Sequence, residues 1–492
     1  MSTISPLYLA VDLGTGSLRV SLYSLQHGVV AMKKKEISID SMIDIDQIWS
    51  ELAHLIRSIM KHATPAEIAC IGISALLGWV PIDIDGVPAA DAWTWMHQEK
   101  QSFNRFRDKI PADYNKRTGR RFTTELGVLK WAAMKENAPL SYERVQSFIS
   151  LKDYLIYRLT GSICMDYTHA AYTGVFSIQD LAWDDSLLRL FDIEVDKMPK
   201  LHFSSDIVGV TTETAATLTG MNPGIPVICG GPDGSMAILG GGGVTTGVAV
   251  DVMGTTDVVF GVSEAPLHDE DRSLINNPHL LPGLWLTGGP MGMTSGTAKW
   301  FINQWHGVGE DVSQAMRAYE ALANDCPAGS LGLLFIPSLT GERTPLWNES
   351  IRGSVIGLTQ YHTNGHIYRA LLEGNGYSLQ NVFRRLEKLG FSFQQYIAIG
   401  GGTKNRLGLQ IRADITGKRI VVPKEIEAST LGVAILCALA MRHFHDPVQA
   451  VSHMIKTDFV VEPRQDQQSV YEQQFRKYQH LLQCMSEYYS QN

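Results

Sequence analysis

The amino-acid sequence predicts an α/β protein built as two related domains facing each other across a cleft. Three observations lead there. At 492 residues the chain is too long for a single hydrophobic core, so two or more domains are expected. An apolar strand, a turn of glycine and hydroxyl residues and a second apolar strand occur around Gly14 and again around Gly254, which implies two copies of one design. Within the first copy, a strand meander, an amphipathic helix and a further strand follow one another over residues 7–74. That order suggests a mixed sheet with helical cover.

In chain order, residues 7–13 read as a strand, Gly14 to Ser17 as a tight turn and 18–24 as a second strand. A third strand near 29–39, a helix over 46–62 and a strand over 68–74 complete the first unit. Residues 93–160 read as mostly helical, and 166–178 as loop or short strand. After the second copy come a strand–turn–helix over 397–416 and long helices over 363–389 and 465–490, the last a polar packing element with scattered aromatics.

Composition narrows the function. The 45% hydrophobic and 19% charged residues describe an ordinary folded protein, and a net charge of −8 with no long basic run beyond residues 33–35 argues against nucleic acid as a partner. Cys70, Cys164, Cys229, Cys326, Cys437 and Cys484 lie far apart and form no CxxC pair, so reduced thiols in a cytoplasmic protein are expected. The N-terminus lacks a basic region followed by an apolar one, and no apolar run reaches the ~18 residues of a membrane span, so neither secretion nor membrane insertion is expected.

The stretch VICGGPDG, residues 227–234, ends an apolar strand with glycines and proline and then presents Asp233 before a short helix. There the carboxylate either caps the helix or serves as a base at the mouth of a sheet. The glycine run 240–243 reads as a flexible break about which the domains close. Turns at Gly14–Ser17, Gly254–Thr256 and Gly400–Gly402 each follow an apolar strand and expose backbone amides and hydroxyls, which is what a polyphosphate needs. No GxxxxGK[ST] loop or helix-opening GxGxxG is present, so P-loop and dinucleotide readings lose their support.

Magnesium takes hard oxygen ligands beside nucleotide phosphates, and Asp12 stands next to the first turn. The second copy has Val252 there, and Asp251, one residue off, should point to the other face of its strand. No histidine spacing makes a metal site. Trp79 and Trp95 are candidates for an apolar wall against a sugar face.

These residues together resemble the FGGY family of carbohydrate kinases, which shares its fold with actin and Hsp70. VDLGTGSLR (11–19) resembles the first phosphate motif, GGPDG (230–234) the catalytic-aspartate motif and MGTTD (253–257) the second phosphate motif. GERTP (341–345), RALLEG (369–374), GGGTKNRLGLQIRADITG (400–417) and EASTLGVAI (427–435) match in order and spacing. The resemblance implies two actin-like, ribonuclease H-like domains, 1–242 and 243–492, with Mg2+, ATP and sugar in the central cleft.

It assigns Asp233 as general base and Asp12 to the magnesium shell through water. It also implies nucleotide contacts from Thr15, Gly16, Ser17, Arg19, Gly254, Thr255, Thr256, Gly400, Gly401, Gly402 and Asn405, with Gly296 and Lys299 of TSGTAKW also approaching ATP. Departures lie on the sugar side. Where many relatives carry a WxDxR-like pattern, this chain has Trp95, then His97 and Glu99 at the acidic and basic positions. Residues 74–83 lack the Gln and His of xylulose kinases, and Ala133 stands in place of a tryptophan.

The expected activity is phosphorylation of a hydroxyl on a small ketose or polyol, with Trp79, Trp95, His97, Glu99 and Asp233 contacting it. The alternatives are an actin-like nucleotide switch and a degenerate kinase that only senses sugar. Family habit suggests a homodimer.

Overall fold

The computed structural model describes residues 6–305, 312–425 and 427–490. The chain opens with three strands, β1 (Leu7–Leu13), β2 (Ser17–Ser24) and β3 (Gly28–Glu36), then helix α1 (Ile45–Ile59) and strand β4 (Ile68–Ala75). β1 is buried along its whole length and β4 at every residue but Ala69, as strands covered on both faces must be. Helix α1 is capped by Asp44, whose side chain accepts from the Asp46 and Gln47 amides, and it buries one apolar face on the sheet.

Residues 93–160 are mostly helical, as expected, with helices over Lys100–Phe106, Tyr114–Thr118, Gly127–Asn137 and Pro139–Arg144, but two short strands interrupt them. A four-stranded sheet of Met42–Ile43, Ala92–Thr94, Gly78–Ile82 and Ser147–Ser150 places Trp79 and Trp93 on paired strands. Large aromatics suit a pleated, half-covered surface as well as a helix.

The segment continues through α2 (Leu151–Thr160) and α3 (Tyr167–Ala171). Then come strands β5 (Ile207–Val210), β6 (Pro226–Ile228) and β7 (Gly231–Pro232), and helix α4 (Asp233–Gly241). The first large sheet has the order β5-β6-β4-β1-β2-β3, with β7 also pairing with β4.

The second copy contains β8 (Ala249–Met253), β9 (Thr256–Ser263), β10 (Ile275–Pro278), β11 (Trp285–Met293), α5 (Ser295–Trp305) and α6 (Val312–Asn324). It ends with α7 (Asn364–Lys388), β12 (Gln395–Ile399), α8 (Arg406–Thr416), β13 (Arg419–Pro423), α9 (Ala428–Ala440), β14 (Thr457–Val461) and α10 (Gln468–Ser490). Its sheet order is β10-β11-β9-β8-β12-β13-β14. Strand directions repeat as well: β1 pairs antiparallel with β2 and parallel with β4, just as β8 pairs antiparallel with β9 and parallel with β12.

Helices α4 and α9 lie between the two sheets. α9, from the second half of the sequence, packs Val433 and neighbouring residues onto Tyr8, Ala10 and Cys70 of the first sheet, while Ala237 and Ile238 of α4 pack on Val250 and Ile399 of the second. The glycines expected to form a loose break are closely packed. A Cβ on Gly240 would sit 1.9 Å from the Ala428 carbonyl oxygen, and one on Gly432 would sit 2.1 Å from that of Met236. Gly240 and Gly241 belong to α4, and Gly242 ends it at φ 102°. All six cysteines are free thiols; five are buried and Cys484 is exposed. Among the described residues no helix is long and apolar enough to cross a membrane.

Candidate active site

Asp12 is the last residue but one of β1 and is 2% exposed. Arg19, opposite it on β2, donates to Oδ2 at 2.8 Å, and Ser74, beside it on β4, donates to Oδ1 at 3.0 Å. Burial, and then the charge of Asp233, push the Asp12 carboxyl up to about 6. The two carboxylates therefore share one site. Arg19 also reaches Glu427 at 3.1 Å, so its charge is committed to two acids from opposite halves of the chain.

Asp233 is the first residue of α4, and the N-cap position belongs to Pro232, so the aspartate does not cap this helix. Its Oδ1 accepts from the Gly234 amide at 2.7 Å. Burial raises its pKa, opposed by that amide and by the nearby charges of His169 and Arg19.

Behind it lies a buried ionic cluster. The Lys152 ammonium is bonded to Asp153, lies 3.2 Å from Asp166 and donates to the Cys229 carbonyl at 2.6 Å, which ties α2 to the strand leading to Asp233. Asp166 holds His169 Nδ1 at 2.7 Å, while His169 Nε2 is buried without a partner. Asp153, Cys164 and Cys229 form a group of metal-type donors, but the Lys152 ammonium already bonds Asp153 and lies 3.9 Å from Cys229 Sγ.

A cavity of about 240 Å³ opens at Asp233. Thr15 from the first turn and Thr256 from the second both line it, as do Trp79, Trp95, Tyr172, Arg120, Arg121, Glu125, Arg343 and Trp347. A second cavity of about 440 Å³ is lined by Gly401, Gly402, Asn405, Ser295, Arg317 and Arg412. Asn405 caps α8, its Oδ1 accepting from the Gly408 amide at 2.6 Å. Arg412 is locked between Asp251 and Asp257, the latter at 2.5 Å, and Asp251 lines neither cavity.

Some assignments move. His97 and Glu99 pair with each other at 3.3 Å and do not line the cavity, because the chain turns after Thr94, where the His97 amide bonds its carbonyl at 3.1 Å. Lys299 is exposed on α5 and lines neither cavity. Gly296 serves the second turn, its amide donating to the Thr255 carbonyl at 3.0 Å and its missing side chain leaving room for Thr255. Gly400 takes φ 93° to pass close to Met253. The sequence reading missed Ser74, Arg120, Arg121, Glu125, Tyr172 and Trp347. The only local signal was the pair of arginines directly after Gly119.

Two like-built sheets, a glycine and hydroxyl turn from each and a carboxylate pair between them define a phosphotransferase of the two-lobed nucleotide-binding class. The chain belongs to the FGGY family of carbohydrate kinases, residues 7–240 matching the family's N-terminal domain and residues 249–441 its C-terminal domain. It is thus an ATP-dependent sugar kinase, a phosphotransferase with an alcohol group as acceptor. It is 29% identical over 485 residues to a gluconokinase of Bacillus subtilis, covering 94% of this chain and 93% of that one. To a xylulose kinase of Staphylococcus epidermidis it is 28% identical, covering 97% and 96% of the two chains. Its fold matches that of gluconate kinase from Lactobacillus acidophilus with a TM-score of 0.92 at 24% identity, over 99% of each chain.

Proposed function

We propose that the protein transfers the γ-phosphoryl group of ATP to a hydroxyl of a small ketose, polyol or related sugar, with Asp233 as general base. One observation carries this reading: a single cavity is lined by Asp233 and by one threonine from each of the first two phosphate-type turns. A hydroxyl beside Asp233 would give up its proton to a carboxylate whose pKa burial has moved toward the working pH, which favours base catalysis. Thr15, Gly16, Ser17, Gly254, Thr255 and Thr256 would receive phosphate oxygens on amides and hydroxyls. Gly401, Gly402 and Asn405 line the second cavity, where we place the adenosine.

Asp12 suits a magnesium ion: its hard oxygens lie in a buried site with a second carboxylate, and burial followed by the charge of Asp233 raises its pKa. Asp12 would hold the ion, directly or through water, and the ion would neutralise phosphate charge. Arg19 and Ser74 keep that carboxylate oriented meanwhile.

Residues 1–242 and 243–492 would act as the two domains, in the cytoplasm and as a homodimer. The free thiols support the compartment and family resemblance alone the oligomer.

Asp233→Asn tests the reading. ATP binding by calorimetry should be retained while sugar-dependent ADP release falls about 10²–10⁴-fold. Near-normal turnover would remove Asp233 from the role of base.

A further inference from the structure

The lining of the sugar-side cavity carries more positive charge than the chain itself balances. Three arginines, Arg120, Arg121 and Arg343, line it with two acids, Glu125 and Asp233. Glu125 is taken by Arg343, whose Nη2 donates to both its oxygens at 3.1 and 3.2 Å. Asp233 belongs to the reaction, and the charges acting on it come chiefly from His169 and Arg19.

Arg120 and Arg121 are left without a carboxylate among the described residues. Arg120 is only 5% exposed and is propped entirely by neutral groups. Its Nε donates to the Ala171 carbonyl at 3.2 Å, its Nη2 to Asn277, and its guanidinium lies 3.4 Å from the centre of the Tyr172 ring. Arg121 donates to the Arg272 carbonyl at 2.9 Å and stands 5.5 Å over Trp347. Burial, and then the neighbouring Arg272 charge, lower its pKa from the ordinary value while the guanidinium stays charged.

Charged groups taken out of water without a counter-ion are costly, and structures retain them where a ligand supplies the missing charge. A guanidinium fork matches a carboxylate in shape and hydrogen-bonding directions.

Resting on the kinase reading above, we infer that the acceptor is a polyhydroxy acid of the aldonate class, its carboxylate taken by Arg121 and Arg120 while one of its hydroxyls meets Asp233. Trp79 and Trp95 would then cover the carbon chain.

The test measures ADP release from Mg-ATP with a panel of aldonates, D-gluconate among them. Each acid is matched with the neutral polyol or ketose of the same carbon number, using wild type, Arg121→Gln and Arg121→Lys. The expected result is a kcat/KM for the best acid at least about ten times that for its neutral match. Arg121→Gln should raise KM for the acid about 10–100-fold with kcat little changed, and Arg121→Lys should recover part of the loss.

The wild-type comparison stands even if a variant fails to fold. A neutral sugar turned over better than every acid would overturn the inference and leave the kinase reading standing. No stimulation by any compound, with ATP binding intact, would overturn both.

Discussion

Glu342 shows how much a single buried carboxyl can matter in this protein. It sits in the GERTP turn, 7% exposed, with one side-chain partner, Ser338, and burial pushes its carboxyl from 4.5 up to about 7. Because the folded-state pKa is raised, the group costs nothing below pH 4.5, where it is protonated folded or unfolded. The penalty grows as pH rises and is complete above about 7. Glu342→Gln should therefore unfold at higher urea than wild type at pH 8, by about 3 kcal/mol, with the gap closing by pH 4.5. Equal midpoints at both pH values would contradict this account.

At the same scale, Asp12 and Asp233 were legible in the sequence because each follows an apolar strand at a turn, a local pattern. Arg120 and Glu125 were not, since nothing near them in the chain tells which way a loop faces.

Helix α7 shows what one element contributes. Thr363 and His366 cap its start, and within it Arg369 donates to Glu373 at 2.9 Å and to the Tyr471 hydroxyl of α10 at 2.8 Å. Glu373 also accepts from the Gly329 amide at 2.9 Å and from Ser330 at 3.0 Å, and a Cβ on Gly374 would lie 2.2 Å from the Phe335 carbonyl oxygen. The RALLEG motif is thus a structural staple, and its Leu372 also lines the second cavity.

Arg369→Met strands a buried carboxylate and should cost about 3–5 kcal/mol in urea unfolding, whereas Arg369→Met with Glu373→Gln should recover most of it. A single variant as stable as wild type would refute the staple. The helix itself was readable from its 3.6-residue period. The segment 93–160 is mostly helical as read, and only its two short strands, Ala92–Thr94 and Ser147–Ser150, were not legible, because so few residues carry no period that separates strand from helix.

For the molecule as a whole, the crossing of α4 and α9 joins the two sheets. The helices approach so closely that Gly240 and Gly432 leave no room for a methyl group. Gly432→Ala should push them apart and destabilise the protein by about 1–3 kcal/mol, read as a lower urea midpoint. A variant that keeps the midpoint would show that the crossing is loose. Tyr23 on β2 bonds Thr430 of α9 at 2.9 Å, and Ser429 reaches the Asp233 carbonyl at 3.4 Å, so the same helix touches the residue that would act as base.

The sequence by itself determined the two strand–turn–strand copies, the three glycine turns and the acidic residues beside them. Those features depend on backbone freedom and apolar period within about ten residues. Only the tertiary structure decided what the sugar-side cavity is made of, because Arg121, Asp233 and Arg343 come from distant parts of the chain and meet through the packing of both sheets. The same packing decided that the glycine run holds a helix crossing together, since a glycine's neighbours in space are not written beside it in the chain.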